Sequence, residues 1–584
     1  MTNVKRYFIN ALLLTAVSLV MRTVSVSFNV ILTEKVGAEG MGLLTLVMSV
    51  NGFAVTFATS GISLAVTRMT AETVITADKS KAPRVLSNVM NSAMIYSAAF
   101  GLTGCILLLV TAKPIGVSIL GDARTVPALR LLALTLPPIA LSSALSGYFN
   151  ACRRVYKNAV TQVAEQAVKV TLITAGLLLL SPSGLEYALL AVVGGGALAE
   201  ALSFAFIYIL YRADRRRHYS VSDNTSSLSL SKPSHLLSSS PASHLLQTPL
   251  NTATEGGSTV TSALQAGTFR EAMVNICSIA LPVALSAYVR SGLVTTEHLL
   301  IPHRLRRGGA DPTAALAAYG TLHGMSMPVI LYPYAILGPF TSLLVPEISE
   351  CRARGQTERI RRITERVIRV TLLFAVGVSG IMMCFSYELG NVLYDSEQAG
   401  YYIRMLAPII PVMYLDTAVD SLLKGMGEQL YCMKVNIADA SLSVIFVYFL
   451  VPVFGVTGYA AIIIIAEVIN TALSITRLIR IIHPRPNLRM WLIKPFVCSF
   501  LACAAMRFII NRVPRLYGRT DGLSTALFII AGSALYLALL TATDTVFQRK
   551  ERHTADITDS DVKHTKNQAK PAKNRSIKQL INKT

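Results

Sequence analysis

Two arginines occupy positions where a charge is expensive. Arg22 falls about 14 residues into the apolar run 8–32, roughly 21 Å along a helix that rises 1.5 Å per residue. Arg290 falls comparably deep in the run 273–300. A charge at a bilayer centre costs about 2.5–3.5 kcal/mol on insertion scales, so both are expected to line a hydrated cavity rather than face acyl chains. A guanidinium is planar, permanently charged and forked, which suits phosphate oxygens. A pyrophosphate head group is the natural ligand. The competing reading pairs each arginine with a buried acid or with helix-end carbonyls and makes it structural.

The acids inside apolar runs are the next candidates. Asp416, Asp420 and Lys424 follow i, i+4, i+8 and share one helix face, with acid before base in the favourable order. They read equally as an internal ion-pair ladder or as a coupling-ion site. Glu165 and Lys169 are another i, i+4 pair, read as structural. Glu200 and Glu467 are single acids in mid-run, so each is a proton or Na⁺ candidate or a hydrogen-bonding group for a neighbouring helix. Arg130 and Arg404 lie near the ends of their runs, where the side chain can snorkel to the interface. No G-x-x-x-x-G-K-[ST], H-E-x-x-H or nucleophile elbow occurs. The eight cysteines show no C-x-x-C or metal-ligand spacing. No catalytic residue, metal site or cofactor is expected, and the enzyme reading is weak.

The elements that must hold these groups are membrane helices. Of 584 residues, 52% are hydrophobic and 15% charged, against about 25% charged in soluble domains. The expected class is all-α and polytopic, with about fourteen spans: 8–32, 43–66, 85–111, 126–150, 160–180, 187–211, 273–300, 319–345, 366–386, 401–424, 433–453, 456–480, 490–511 and 522–547. The runs do not alternate as barrel strands would. The first run is too long for the core of a cleavable signal. Lys and Arg concentrate in the loops on the N-terminal side of the membrane, which places both termini in the cytoplasm. The net charge of +22 then points to anionic lipid head groups rather than nucleic acid. Residues 212–272 open on Arg212, Arg215, Arg216 and Arg217 and become Ser/Thr/Pro-rich, as a disordered linker would. Residues 548–584 form a basic tail.

The chain repeats itself at an offset of about 270 residues. Arg130-Leu131-Leu132-Ala133 with Pro137 matches Arg404-Met405-Leu406-Ala407 with Pro411. Gly42 and Glu72 bracket Ser-Leu-Ala-Val as Gly320 and Glu350 bracket Ser-Leu-Leu-Val. Arg22 matches Arg290, and Ala199-Glu200 matches Ala466-Glu467. Six spans per half make the repeats parallel, as in transporters whose site lies between two bundles. The expected organisation is a six-helix lobe (1–211), a linker (212–272), a second six-helix lobe (273–480), two extra helices (481–547) and the tail. Prolines 137, 138, 282, 328, 333, 339, 408 and 411 are expected to bend or interrupt helices.

Gly37-Ala38-Glu39-Gly40-Met41-Gly42, Ser60-Gly61-Ile62 and Ala71-Glu72 resemble the stage V sporulation protein B family. So do His298-Leu299-Leu300-Ile301-Pro302, Leu344 through Glu350, Leu406-Ala407-Pro408 through Asp416 to Gln429, and Gly458-Tyr459 with Glu467-Val468-Ile469-Asn470. The resemblance covers roughly residues 8–480. That family lies in the multidrug/oligosaccharidyl-lipid/polysaccharide exporter superfamily. The resemblance implies two lobes and outward flipping of an undecaprenyl-pyrophosphate-linked wall precursor, a lipid-linked oligosaccharide, in a bacterial cytoplasmic membrane, for peptidoglycan or spore cortex. It also implies cavity-facing arginines on the first and seventh helices, here Arg22 and Arg290, with Arg68 as a further carry-over. Cell-wall synthesis machinery is an expected partner. A cation-coupled drug exporter of the same fold is the alternative, and the mid-span arginines argue against it. A glycan polymerase or a non-transporting scaffold is the second alternative.

Overall fold

The computed structural model describes residues 2–59, 61–76, 82–152, 154–180, 184–225, 268–484, 489–512 and 522–543. Every regular element among them is helical. A chain immersed in hydrocarbon must satisfy its own backbone groups, and a helix does so within one segment.

Ten helices are long and apolar enough to cross a membrane. Two of them are double. Thr2–Thr59 breaks at Gly37 (φ 69°) and Gln429–Ile482 at Gly455 (φ 62°), a left-handed backbone that only glycine adopts without strain. Adding the bent pair Thr125–Ala133 and Leu136–Ala151, and the more polar Val155–Leu180, makes fourteen crossings among the described residues. They are named in chain order. The first lobe holds α1 (2–36), α2 (38–59, continued by Ile62–Thr76), α3 (Ala82–Pro114), α4 (the bent pair), α5 (Val155–Leu180) and α6 (Leu185–Thr225). The second holds α7 (Phe269–Arg307), α8 (Pro312–Tyr319 through Tyr334–Ala353), α9 (Thr357–Cys384), α10 (Glu397–Leu406 and Ile410–Gly425), α11 (429–454) and α12 (456–482). Lys494–Arg512, with the turn before it, is α13, and Gly522–Thr543 is α14.

The expected linker starts too early. Helix α6 continues unbroken to Thr225, because Arg212 through Arg217 carry no helix breaker and simply extend the helix beyond its apolar part. The rest of that segment, 226–267, and the tail 548–584 lie outside the described residues. The prolines act where expected in α4, which bends by 41° just before Pro137 and Pro138, and at Pro408, which sits in a 3₁₀ turn. In α8, Pro328 follows a seven-residue stretch of π-helix, Gly320–Ser326.

Helices α13 and α14 pack on α9, where Met506 and Ile510 meet Cys384 and Phe385 and the Tyr536 hydroxyl donates to Leu373 O at 2.6 Å. The lobes meet along two seams. In the first, α1 and the start of α2 run along α8: Thr23 Oγ1 and Tyr332 OH are 3.0 Å apart, and Asn29 Nδ2 donates to Gly324 O at 3.2 Å. At one end of this seam a Cβ on Gly320 would fall on Ala38 O and Gly42 N, so the two helices touch backbone to backbone. In the second, α7 runs along α2. Thr295 Oγ1 donates to Ser49 O (3.1 Å), Ser291 Oγ to Thr56 Oγ1 (3.3 Å) and Tyr288 OH to Phe57 O (3.2 Å). Further along, Ala272, Ile276 and Ala280 of α7 are buried in the core formed by α2, α3 and α4.

Charged clusters tie the helix ends. Burial alone would raise the Asp122 carboxyl, but hydrogen bonds and charge from Arg124 hold it below the ordinary carboxylate range, and Arg124 also donates to Glu39 at 2.7 Å. At the other end of the first lobe, Asp214 of α6 is 3% exposed and accepts from Arg154, from Lys157 at 2.5 Å and from Tyr148 OH at 3.3 Å. Breaking a buried pair costs about 3–5 kcal/mol because the remaining charge is uncompensated. Arg154 is partly exposed, so Asp214→Ala is expected near the lower end, about 3 kcal/mol. A drop of several degrees in the unfolding midpoint of the purified protein in detergent is the readout.

Candidate functional site

Arg22 lies on the α1 face that meets the second lobe. Seven residues on, two helical turns along the same face, Asn29 reaches Gly324 of α8. The guanidinium is part-buried, and Nε is shut off from solvent without any hydrogen-bond partner. Its electrostatic neighbour is Tyr414 of α10, whose hydroxyl donates to Ile330 O at 2.9 Å and whose ring packs on Tyr334 at 5.3 Å. Arg290 occupies the matching position on α7. Seven residues on is Glu297, whose Oε1 accepts from Ser443 Oγ of α11 at 2.6 Å. Arg290 is exposed and faces Asp439 of α11, which also carries a buried oxygen without a partner. Among the described residues neither guanidinium forms an ion pair. Each lobe therefore supplies one guanidinium outside any ion pair: Arg22 has no carboxylate neighbour, and Arg290 has Asp439 as its electrostatic neighbour.

The ladder on α10 divides. Lys424 Nζ pairs with Asp420 at 2.6 Å. Asp416 turns instead to α12, accepting from Asn470 Nδ2 at 3.2 Å, with its other oxygen buried and unpartnered. Asp439 and Glu467 face Asp416 across the interior of the second lobe, so three carboxyls from α10, α11 and α12 converge. In the first lobe, Glu200 lies 3.8 Å from Lys169 and faces Glu165, which accepts from Ser203 Oγ at 2.8 Å. The acid and base that sequence spacing paired along α5 are thus joined through α6. Arg68 is exposed at the end of α2 and bonds Glu72 at 2.9 Å. Arg68 thus starts from an exposed ion pair on its own helix, which neither Arg22 nor Arg290 does. Arg404 lies over the Tyr387 ring at 5.8 Å, near the end of its span.

Tyr414, Asp439 and Glu297 escaped the sequence reading. Asp439 meets the criterion that marked Glu200 and Glu467, a lone acid within an apolar run. Glu297 stands to Arg290 as Asn29 stands to Arg22, a match that the repeat offset contains. Nothing local marks Tyr414, since a tyrosine in an apolar run is ordinary core.

The chain matches the polysaccharide biosynthesis protein family over residues 8–251 and the MatE family over residues 308–449, one on each lobe. It is 23% identical to stage V sporulation protein B of Bacillus subtilis (strain 168) over 535 residues, 91% of this chain and 94% of that protein. It is 27% identical to the sporulation protein YkvU of the same organism over 131 residues, 22% of this chain and 29% of that one. Its fold is similar to that of the lipid II flippase MurJ in an inward closed conformation (TM-score 0.62, 14% identity, 92% of this chain and 99% of that one). It is also similar to an inward-facing multidrug resistance MATE family transporter of the MOP superfamily (TM-score 0.54, 14% identity, 84% and 98%). Similarity over most of the chain to the sporulation protein, a family match on each lobe and the two-lobed helical fold agree: the chain is a multi-pass membrane protein, a homologue of stage V sporulation protein B with a fold similar to that of the lipid II flippase MurJ and the MATE transporters.

Proposed function

We propose that this protein flips an undecaprenyl-pyrophosphate-linked wall precursor, a lipid II-like molecule, across a bacterial cytoplasmic membrane for peptidoglycan or spore-cortex synthesis. The observation that carries the reading is the repeat-related pair of guanidiniums outside any ion pair, Arg22 without a carboxylate neighbour and Arg290 facing Asp439, one on the seam-facing helix of each lobe. A pyrophosphate between them gains charge-assisted, forked hydrogen bonds and gives Arg22 the anionic partner it lacks. An organic cation gains nothing from them, which disfavours drug export. With both termini cytoplasmic, the head group enters from inside while the polyprenyl tail stays in the bilayer. The lobes then rock about the α1–α8 and α2–α7 seams.

The electrical sign favours outward movement. Each elementary charge crossing 100 mV is worth about 2.3 kcal/mol, so a doubly anionic head group leaving a negative interior gains roughly twice that per 100 mV. Anionic lipids contact the basic helix ends, and the wall-synthesis machinery is the natural recipient of the flipped precursor. The test is flipping of fluorescently labelled lipid-linked disaccharide-peptide by the purified protein in proteoliposomes with an imposed potential. Flipping that an outside-positive potential accelerates is the expected result. No flipping of this lipid, with export of a cationic dye instead, removes the reading.

A further inference from the structure

The proposed head-group site makes no use of the His298 motif, whose side chain sits in a cluster of titratable residues in the second lobe. His298 Nδ1 of α7 is 2.8 Å from the Tyr319 hydroxyl of α8. Its ring stands edge-on to that of His323, centroids 4.8 Å apart. His323 Nε2 is 2.6 Å from the Tyr459 hydroxyl of α12. Tyr459 also faces the carboxyl of Glu297, which Ser443 of α11 holds. The two tyrosines are 1% and 2% exposed, whereas both histidines and Glu297 keep some accessible surface although protein surrounds them. The histidine pair is therefore enclosed by protein without being wholly sealed.

We propose that this network is a proton-binding site, taking one proton on the His298–His323 pair. The inference rests on reading the chain as a transporter and names the coupling ion of that reading. Two imidazoles at this separation repel when both are charged, so the pair titrates as a unit and accepts one proton. If Glu297 is ionised, Tyr459 donates to it, and the Tyr459 oxygen then accepts from His323 Nε2–H. An incoming proton goes to the remaining ring nitrogen, and Glu297 faces the resulting imidazolium through Tyr459. The charged or titratable groups facing the pair are Glu297 on α7, Tyr319 on α8 and Tyr459 on α12, with Asp439 of α11 behind Glu297. From α2 the neighbours of this stretch of α8 are uncharged, Met41 and Thr45 beside Gly324.

The position makes the proton consequential. His323 belongs to the π-helical stretch Gly320–Ser326, whose Gly320 abuts Gly42 across the lobe seam. A π-helical turn is a rare departure from α-helix that occurs frequently at functional sites. A charge on His323 moves that stretch and loosens the Gly42–Gly320 contact. At its other end the network passes from Glu297 to Asp439 and so to Arg290. Proton and head group thus act on one chain of contacts.

The experiment uses the full chain in nanodiscs with spin labels on the α3–α4 and α7–α8 loops, and measures the inter-lobe distance against pH without lipid substrate. The expected result is opening on acidification, lost in His323→Gln and shifted in Tyr459→Phe, with proton uptake by a pH-indicator dye about one per chain lower in His323→Gln. His298→Gln serves as the second variant should His323→Gln not fold. A wild-type distance that ignores pH, a response that survives both histidine changes, or a response that follows Na⁺ at constant pH overturns the proposal. Opening with acid in a protein that flips no lipid leaves the proton site standing and removes the flippase reading.

Discussion

Arg22→Ala and Arg290→Ala are each expected to cut lipid flipping in proteoliposomes at least about tenfold. A hydrogen bond to a charged group is worth about 1.5–3 kcal/mol, and 1.4 kcal/mol is a factor of ten. Lysine at either position should restore only part of the rate, because an ammonium is a point charge and cannot present the guanidinium's fork to two phosphate oxygens. The double variant should lose less than the product of the single losses, since both side chains act on one head group. Stability separates this role from a structural one. Arg22 Nε is buried without a partner and the side chain forms no ion pair. Removing an uncompensated, part-buried charge should leave the unfolding midpoint unchanged or raise it. Arg22→Ala that destabilises the protein as much as it slows flipping would return the residue to the structural reading. Full flipping by both alanine variants would remove the site.

Gly42→Ala and Gly320→Ala are expected to stop the lobes closing at that end of the seam. The atoms a methyl group would meet are backbone: Leu316 O for Gly42, Ala38 O and Gly42 N for Gly320. Backbone cannot step aside as a flexible side chain can, and overpacking costs typically about 1–3 kcal/mol. That penalty falls only on the closed arrangement, so it shifts the closed-to-open ratio by about 5-fold to 150-fold. A cysteine in Met41→Cys, at a position 2% exposed and packed on Gly324 across the seam, should then react with a water-soluble maleimide, and flipping should fall in parallel. Gly292→Ala is the control, because its methyl would meet only the Phe53 ring edge, at an ordinary 3.5 Å. Alanine at Gly42 or Gly320 that leaves the Met41→Cys thiol protected would show that this contact does not gate the seam.

Several of these features were readable without coordinates. Fourteen apolar runs became fourteen crossings, because the cost of an unsatisfied backbone in hydrocarbon leaves each run little choice but a helix. The repeat placed Arg22 and Arg290 in equivalent helices, and the same offset carries Asn29 onto Glu297, although no local pattern marks that pair. Gly42 and Gly320 appeared as repeat markers, and the structure makes them each other's contact. Helix α6 ran past its expected end because a basic run limits a membrane crossing but does not break a helix.

Pairing was not readable. Spacing suggested that Asp416, Asp420 and Lys424 form one ladder, yet only Asp420 and Lys424 pair, while Asp416 joins Asp439 and Glu467 from α11 and α12. Glu165 and Lys169 likewise meet only through Glu200 of α6. Arg68 was neutralised by Glu72, four residues away on its own helix, whereas Arg22 was left without a partner by its surroundings. Composition and periodicity determined which segments enter the membrane and where charge is costly, since both follow from the transfer energy of each residue and from one helix at a time. Which charges meet was decided by tertiary packing alone: a contact of a few ångströms depends on how each helix is rotated against its neighbours, and that rotation is set by all the helices together.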